Sequence, residues 1–243
     1  MLPKIDVPIF TLNLPLSKKI VRYRPFLVKE EKLLLMAMES NEESSVITAI
    51  KQIVTNCSLD EIDVERMPVI DLEYFFLNLR ARSVGEIIDL QYKCNNKVKN
   101  EKDEEVDCNN IVKFKVNILE IVPEISKEHT NKIALTDKLG LVMKYPNLSI
   151  VESVEADNEI DKIMKIILKC IDSIYDAETI YYTKDIPESE LVDFIDGLTK
   201  EQFAKIQEFF ETMPKLKKMM KFKCDKCGYE DEIAVEGIQS FFV

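Results

Sequence analysis

The chain has little of what catalytic sites are usually built from. Its 243 residues include one histidine, His129, in the polar run Pro123 to Asn131. A Ser–His–Asp or Cys–His arrangement would have to use that residue, and the run around it has no apolar pattern to hold a base in place. Glycine is scarce as well, with five in all, at positions 85, 140, 197, 228 and 237. They form no phosphate-cradling loop, and no G-x-x-x-x-G-K-[ST] occurs. No run approaches the roughly 18 apolar residues that cross a bilayer. The longest near the N-terminus is Leu33 to Met38, and Glu30, Glu31 and Lys32 precede it. The opening Met1 to Phe10, with Lys4, Asp6 and two prolines, does not read as a signal peptide. These absences argue against a catalytic residue, a small-molecule substrate and a membrane partner.

What is present is an ordinary globular composition, 46% apolar and 32% charged. Lys plus Arg number 33 against 44 Asp plus Glu, a net charge of −11. Such a surface repels phosphate backbones unless a local basic patch overrides it, so nucleic acid is a poor default partner. Six cysteines in a chain with no leader signal suggest a reducing compartment, where thiols bind metal or pack in cores. Cys57 and Cys170 end apolar helical patterns and read as buried small hydrophobes.

The remaining four cysteines belong to what reads as an internal repeat. Pro15 to Pro25, PLSKKIVRYRP, answers Ala134 to Pro146, ALTDKLGLVMKYP. Ile50 to Cys57, IKQIVTNC, answers Ile163 to Cys170, IMKIILKC. With Cys108 laid on Cys227, the runs IVKFKVNI and EDEIAVEG keep step without a gap. The expected fold class is α+β, with two tandem related units, residues 1–122 and 123–243. Each would hold a β-hairpin, a helical cluster and a zinc-ribbon-like strand pair. Alternation predicts hairpin strands over Ile9–Leu14 and Lys19–Tyr23, then over Lys132–Leu135 and Leu139–Lys144. Helices are predicted over Val28–Glu39, Glu43–Cys57 and Asp71–Arg80, with Ser40 and Asn41 as cap residues between the first two. In the second unit they are predicted over Glu159–Ile174, Pro187–Leu198 and Lys200–Thr212. Closing strands are expected over Ile87–Lys93, Ile111–Val122, Lys217–Lys223 and Glu232–Val235. The charge-dense EKDEEVD, Glu101 to Asp107, reads as a solvated hairpin tip.

Cys224–Asp225–Lys226–Cys227–Gly228 has every mark of a zinc knuckle. Two thiols on a tight turn reach one ion, and a glycine after the second permits a positive φ. Thirteen residues separate Cys94 from Cys108, so the pair needs a hairpin to meet. One shared structural zinc on Cys94, Cys108, Cys224 and Cys227, clamping the two units, is the expected metal site. The other readings are a relict knuckle whose reduced thiols bind nothing and, as a minor third, a disulfide. A redox C-x-x-C would open a helix, whereas this one is followed by Gly-Tyr and a strand.

Leu14 to Glu39, LPLSKKIVRYRPFLVKEEKLLLMAME, resembles the opening of the T-even-type bacteriophage baseplate hub protein family. Val69 to Arg80, VIDLEYFFLNLR, and Ala81 to Glu86, ARSVGE, are similar to its second shared block. The resemblance implies a non-enzymatic part in building the tail baseplate hub, as a hub component or an assembly chaperone. Its partners would be other tail and baseplate hub proteins, and its place the virion tail or the host cytoplasm during assembly. A different class also fits: a zinc-ribbon regulatory module contacting nucleic acid or a polymerase. Its support is the cluster Lys215, Lys217, Lys218, Lys221, Lys223 and Lys226.

Overall fold

The computed structural model describes residues 6–40, 42–99, 103–156 and 158–237, and its fold is α+β. It begins with an antiparallel hairpin, β1 (Phe10–Asn13) and β2 (Ile20–Tyr23), in which Phe10 faces Tyr23. The alternation read from the sequence is real: Val21 and Tyr23 are buried while Ile20 and Arg22 are exposed. Helix α1 (Val28–Glu39) starts with the Glu30 carboxylate reaching back to accept the Leu27 N–H at 2.8 Å. Ser40 is its C-terminal cap; Asn41 lies outside the described residues. Helix α2 (Glu43–Cys57) ends at the buried Cys57, whose carbonyl accepts the Arg24 N–H at 3.0 Å. The chain then runs back beside β2, with Leu59 N–H donating to the Arg22 carbonyl at 2.9 Å. Helix α3 (Val69–Ser83) buries Leu72, Phe75, Phe76 and Leu79, the stripe its spacing predicts.

Four strands follow. β3 (Ile87–Lys93) pairs with β6 (Ile111–Asn117) over seven residue pairs. Between them, β4 (Lys97–Lys99) and β5 (Glu105–Asp107) form a smaller hairpin. The strand expected to continue to Val122 stops at Asn117, where its side chain caps a 3-10 turn over Ile118–Glu120.

The next stretch also opens on a hairpin followed by helices. β7 (Lys132–Ala134) and β8 (Gly140–Met143) form a hairpin, followed by a short helix, α4 (Leu148–Glu152), and then by α5 (Glu159–Cys170). The Cys170 carbonyl accepts the Lys144 N–H at 2.7 Å, just as Cys57 accepts Arg24. The helix expected to reach Ile174 ends here. Ile171–Tyr175 is instead a strand, β9, pairing antiparallel with β8, and β10 (Ile180–Tyr182) adds to its far side. Gly140 faces Tyr175 in this sheet, and a side chain on it would run into the Tyr175 ring and the Ile133 carbonyl. Helices α6 (Glu188–Asp196) and α7 (Lys200–Thr212) complete the core, α7 starting on a Thr199–Gln202 capping box. Last come β11 (Lys217–Lys223) and β12 (Glu230–Glu236), paired over seven residues.

The chain gathers into two compact units. Unit 1 comprises Met1–Glu61, Leu72–Glu124 and Lys215–Val243; unit 2 comprises Ile62–Asp71 and Ile125–Pro214. These units cut the chain differently from a division at residue 122. The β11–β12 ribbon goes with unit 1, anchored by an antiparallel bridge between Glu124 and Lys215. Residues 62–71 go with unit 2, where Val69 N–H donates to the Pro146 carbonyl at 3.0 Å.

Candidate metal centre

The two ribbons of unit 1 end in turns of one construction. In the first, Cys94 N–H donates to the Asn110 carbonyl at 2.8 Å; in the second, Cys224 N–H donates to the Tyr229 carbonyl at 2.8 Å. Asn109 N–H returns to the Cys94 carbonyl at 3.1 Å, and Gly228 N–H returns to the Cys224 carbonyl at 2.8 Å. Both returning residues are left-handed, Asn109 at φ 54° and Gly228 at φ 72°. These are the two residue types that tolerate that region most readily.

The thirteen intervening residues are explained by an insertion. Lys97 pairs with Asp107 at the base of the β4–β5 hairpin, and Cys108 N–H donates to the Asn96 carbonyl at 2.8 Å. Asn96 and Cys108 therefore lie side by side. Without residues 97–107 the turn would read Cys94–Asn95–Asn96–Cys108–Asn109, the spacing of Cys224–Asp225–Lys226–Cys227–Gly228. The hairpin that Cys94 and Cys108 need is this insert as well as the flanking pair β3–β6.

Both turns bring their sulfurs to one point. Cys94 Sγ is 3.8 Å from Cys227 Sγ, and Cys108 Sγ is 3.7 Å from Cys224 Sγ. All four sulfurs lie within 4.8 Å of one another, and all are free thiols. A tetrahedral zinc holding sulfurs at about 2.3 Å sets neighbouring sulfurs about 3.8 Å apart. The donor set therefore fits such an ion. Cys94, Cys108 and Cys224 are buried and Cys227 is half-buried, packed with Val112 and Phe222 and flanked by Tyr92, Phe114 and Tyr229.

The thiols differ in acidity because their partners differ. The Cys227 and Lys226 N–H groups and the Asn110 amide outweigh burial and bring Cys224 down to about 6. At Cys94 the Asn96 N–H favours the thiolate, but burial and the three neighbouring sulfurs push it up to about 12. At Cys108 the Asn110 N–H and the Cys94 thiol favour the thiolate, but burial and the Cys227 and Cys224 sulfurs outweigh them and raise it. One thiolate is welcomed, and further ones are opposed until a cation shares the site. Two residues here were not singled out from the sequence. Asn110 Nδ2 donates to Cys224 Sγ at 3.5 Å and Asn96 Nδ2 to Cys227 Sγ at 3.7 Å. The signal was a C-N-N triplet written twice, at Cys94 and at Cys108.

The four cysteines join the two sequence halves, but they do so inside one compact unit. The lysine cluster beside the knuckle is largely engaged. Lys218 pairs with Glu120 at 2.9 Å, Lys221 with Glu232 at 3.1 Å and Lys223 with Glu230 at 2.7 Å. Lys226 Nζ donates to the Cys108 carbonyl at 3.2 Å. Cys57 and Cys170 are fully buried, and burial pushes their thiols up to about 11 and about 12.

His129 was expected in a pattern-free linker, and its surroundings correct that. It is half-buried in unit 2, its ring 5.1 Å from Phe209 and 5.6 Å from Tyr145. Nδ1 shares a hydrogen bond with Thr212 Oγ1 and Nε2 one with the Tyr145 hydroxyl, both at 2.9 Å. Its two ring nitrogens are taken up by structural partners. No helix among the described residues is long and apolar enough to cross a membrane.

No curated protein and no solved structure matches the chain. A family model does, from residue 7 to residue 243, and its description is T4 bacteriophage base plate protein. With nearly its whole length matched, the chain belongs to the T4 bacteriophage base plate protein family.

Proposed function

We propose that the protein is a non-enzymatic component or assembly chaperone of the tail baseplate hub, working by contact with other hub proteins and braced by one structural zinc. The observation that carries the reading is the family match over residues 7–243. Cys94, Cys108, Cys224 and Cys227 would hold the ion, a closed four-thiolate set with no position left for a reacting water. The metal's contribution is mechanical: it ties together two ribbons whose shared core is small. The engaged lysines beside the knuckle weaken the alternative of a nucleic-acid-binding ribbon, since neutralised cations offer little to a phosphate backbone.

The test is co-expression with the other baseplate proteins of the same phage, followed by pull-down and elemental analysis. Capture of hub proteins and close to one zinc per chain are the expected results. Salt-sensitive DNA binding without capture of any baseplate protein would overturn the assembly role. Purified, folded protein without metal would reduce the four thiols to a relict.

A further inference from the structure

The two units begin alike, and one difference between them leaves a vacancy of charge. Arg24 in unit 1 and Lys144 in unit 2 occupy matching places, each donating its N–H to the cysteine that ends the following long helix, at 3.0 Å and 2.7 Å. Each is followed, after the same interval, by a helix start at Val28 or Leu148. The third helical residue is then Glu30 in unit 1 and Ile150 in unit 2.

Glu30 is 2% exposed. Its carboxylate accepts from Arg24 Nη2 at 3.0 Å and lies 3.3 Å from Lys29 Nζ. Unit 1 thus supplies the acid for its own cation. In unit 2, Ile150 supplies none, and Lys144 lines an open cavity of about 400 Å³ together with Lys169 and Lys184. Lys169 stands where unit 1 has Asn56, one residue before the terminal cysteine. Among the described residues no ion pair engages any of these three lysines; Lys184 Nζ lies over the Tyr182 ring at 5.4 Å. The one acid in the lining is the exposed Glu188. The lining also includes the apolar Leu168, Ile171 and Leu191, themselves largely buried. Three lysines against one acid along a single recess are a local exception on a chain of net charge −11.

We infer that this cavity is a docking site for an acidic side chain of a partner protein, an Asp or Glu next to an aliphatic residue that covers the apolar part of the lining. The inference rests on the assembly reading above. The carboxylate takes the role that Glu30 plays inside unit 1, and the lysines give it charge-assisted hydrogen bonds. Such a contact sets which partner binds and in what register more than it sets raw affinity.

The test uses the full chain co-expressed with the baseplate proteins of its phage. Carbodiimide treatment, which joins a lysine to a carboxylate with no spacer, is followed by mass spectrometry. Links from Lys144, Lys169 or Lys184 to an Asp or Glu of a captured protein are expected. Ile150→Glu, which installs the acid that unit 1 already has, should lower capture by about tenfold or more, as should Lys169→Glu. Both variants should keep wild-type circular dichroism; Lys169→Ala replaces either one that does not. Undiminished capture by the folded variants overturns the cavity's role while leaving the assembly reading intact. Capture of nothing by the wild-type chain overturns both. If glutarate or inorganic phosphate raises the melting temperature of wild type alone while variant capture is unchanged, the site is one for a free small anion, and the inference fails.

Discussion

The ribbons of unit 1 and the sheet-and-helix core of unit 2 hold together by different means. Unit 2 packs thirteen buried residues into one cluster, among them Ile133, Leu141, Ile206 and Phe209. The ribbon cluster contains five buried residues, and three of those are cysteines. Burial of the first kind stabilises by roughly 25 cal/mol for each Å² of apolar surface removed from water. Five residues give little of that at the cysteine end of the ribbons, although Ile88, Leu90, Val116 and Val235 are buried further along them; a metal shared by the four sulfurs would supply there what packing does not. Apolar packing spreads its dependence over many side chains, whereas a four-ligand centre concentrates it on four.

That contrast can be broken or sharpened by experiment. The largest effect is expected from Cys224→Ser or Cys108→Ser. If the four thiols hold the proposed zinc, either should lower the melting temperature of unit 1 by roughly 15 °C or more, since metal affinity would there be folding energy. Hydrogen exchange should show β3, β6, β11 and β12 losing protection while α5 and α7 keep theirs. Equal loss in both units would end the distinction. Next in size is Ile206→Ala in the core of unit 2, at about 3 kcal/mol, with metal content unchanged.

His129→Gln should cost about 1–2 kcal/mol through its two hydrogen bonds and ring contacts, more than an exposed substitution would. It should also flatten a pH dependence. Burial holds the folded His129 below its ordinary 6.5, so the unfolded chain takes up its proton first as pH falls. The stability contributed by the neutral ring is therefore complete above about pH 6.5 and declines below it. Denaturant titrations across that range, wild type against variant, give the answer; parallel curves would contradict the assignment.

Gly228→Ala forces a side chain into φ 72° and should cost about 1 kcal/mol. Asn109→Gly, at the matching position of the other turn, should cost nothing or stabilise slightly. The smallest effect is expected from deleting residues 97–107 and joining Asn96 to Cys108. The trimmed turn should bind the same amount of zinc as the full chain, and a lower metal content would mean that the insert shapes the site and is not merely carried by it.

Much of this was legible in the sequence where the signal is local. The spans of α1, α2, α7, β3 and β11 follow from periodicity and turn residues, and the four cysteines from C-x-x-C and its alignment. The end of α5 was not legible. Ile171 and Ile174 extend the apolar stripe of Ile160, Ile163 and Ile167 at helical spacing, and only the open edge of β8 makes that stretch a strand. Helix α4 is five residues long, too short for a period to show. His129 was misplaced because its partners, Tyr145, Phe209 and Thr212, are distant in sequence. The lysines of the unit 2 cavity come from three separate segments and leave no run to read.

The spacing of the sulfurs has a consequence for the order of synthesis. Cys94 and Cys227 are 133 residues apart. At ribosomal rates of roughly 5–20 residues per second, the first knuckle waits about 7–27 s for the second. Unit 2, encoded largely between them, can fold during that interval. The last-made ribbon thus finishes the first-made unit. A nascent chain that stalls after Pro214 would carry a folded unit 2 and an open pair of thiols, a state exposed to proteolysis and to stray metal ions until the second ribbon is made.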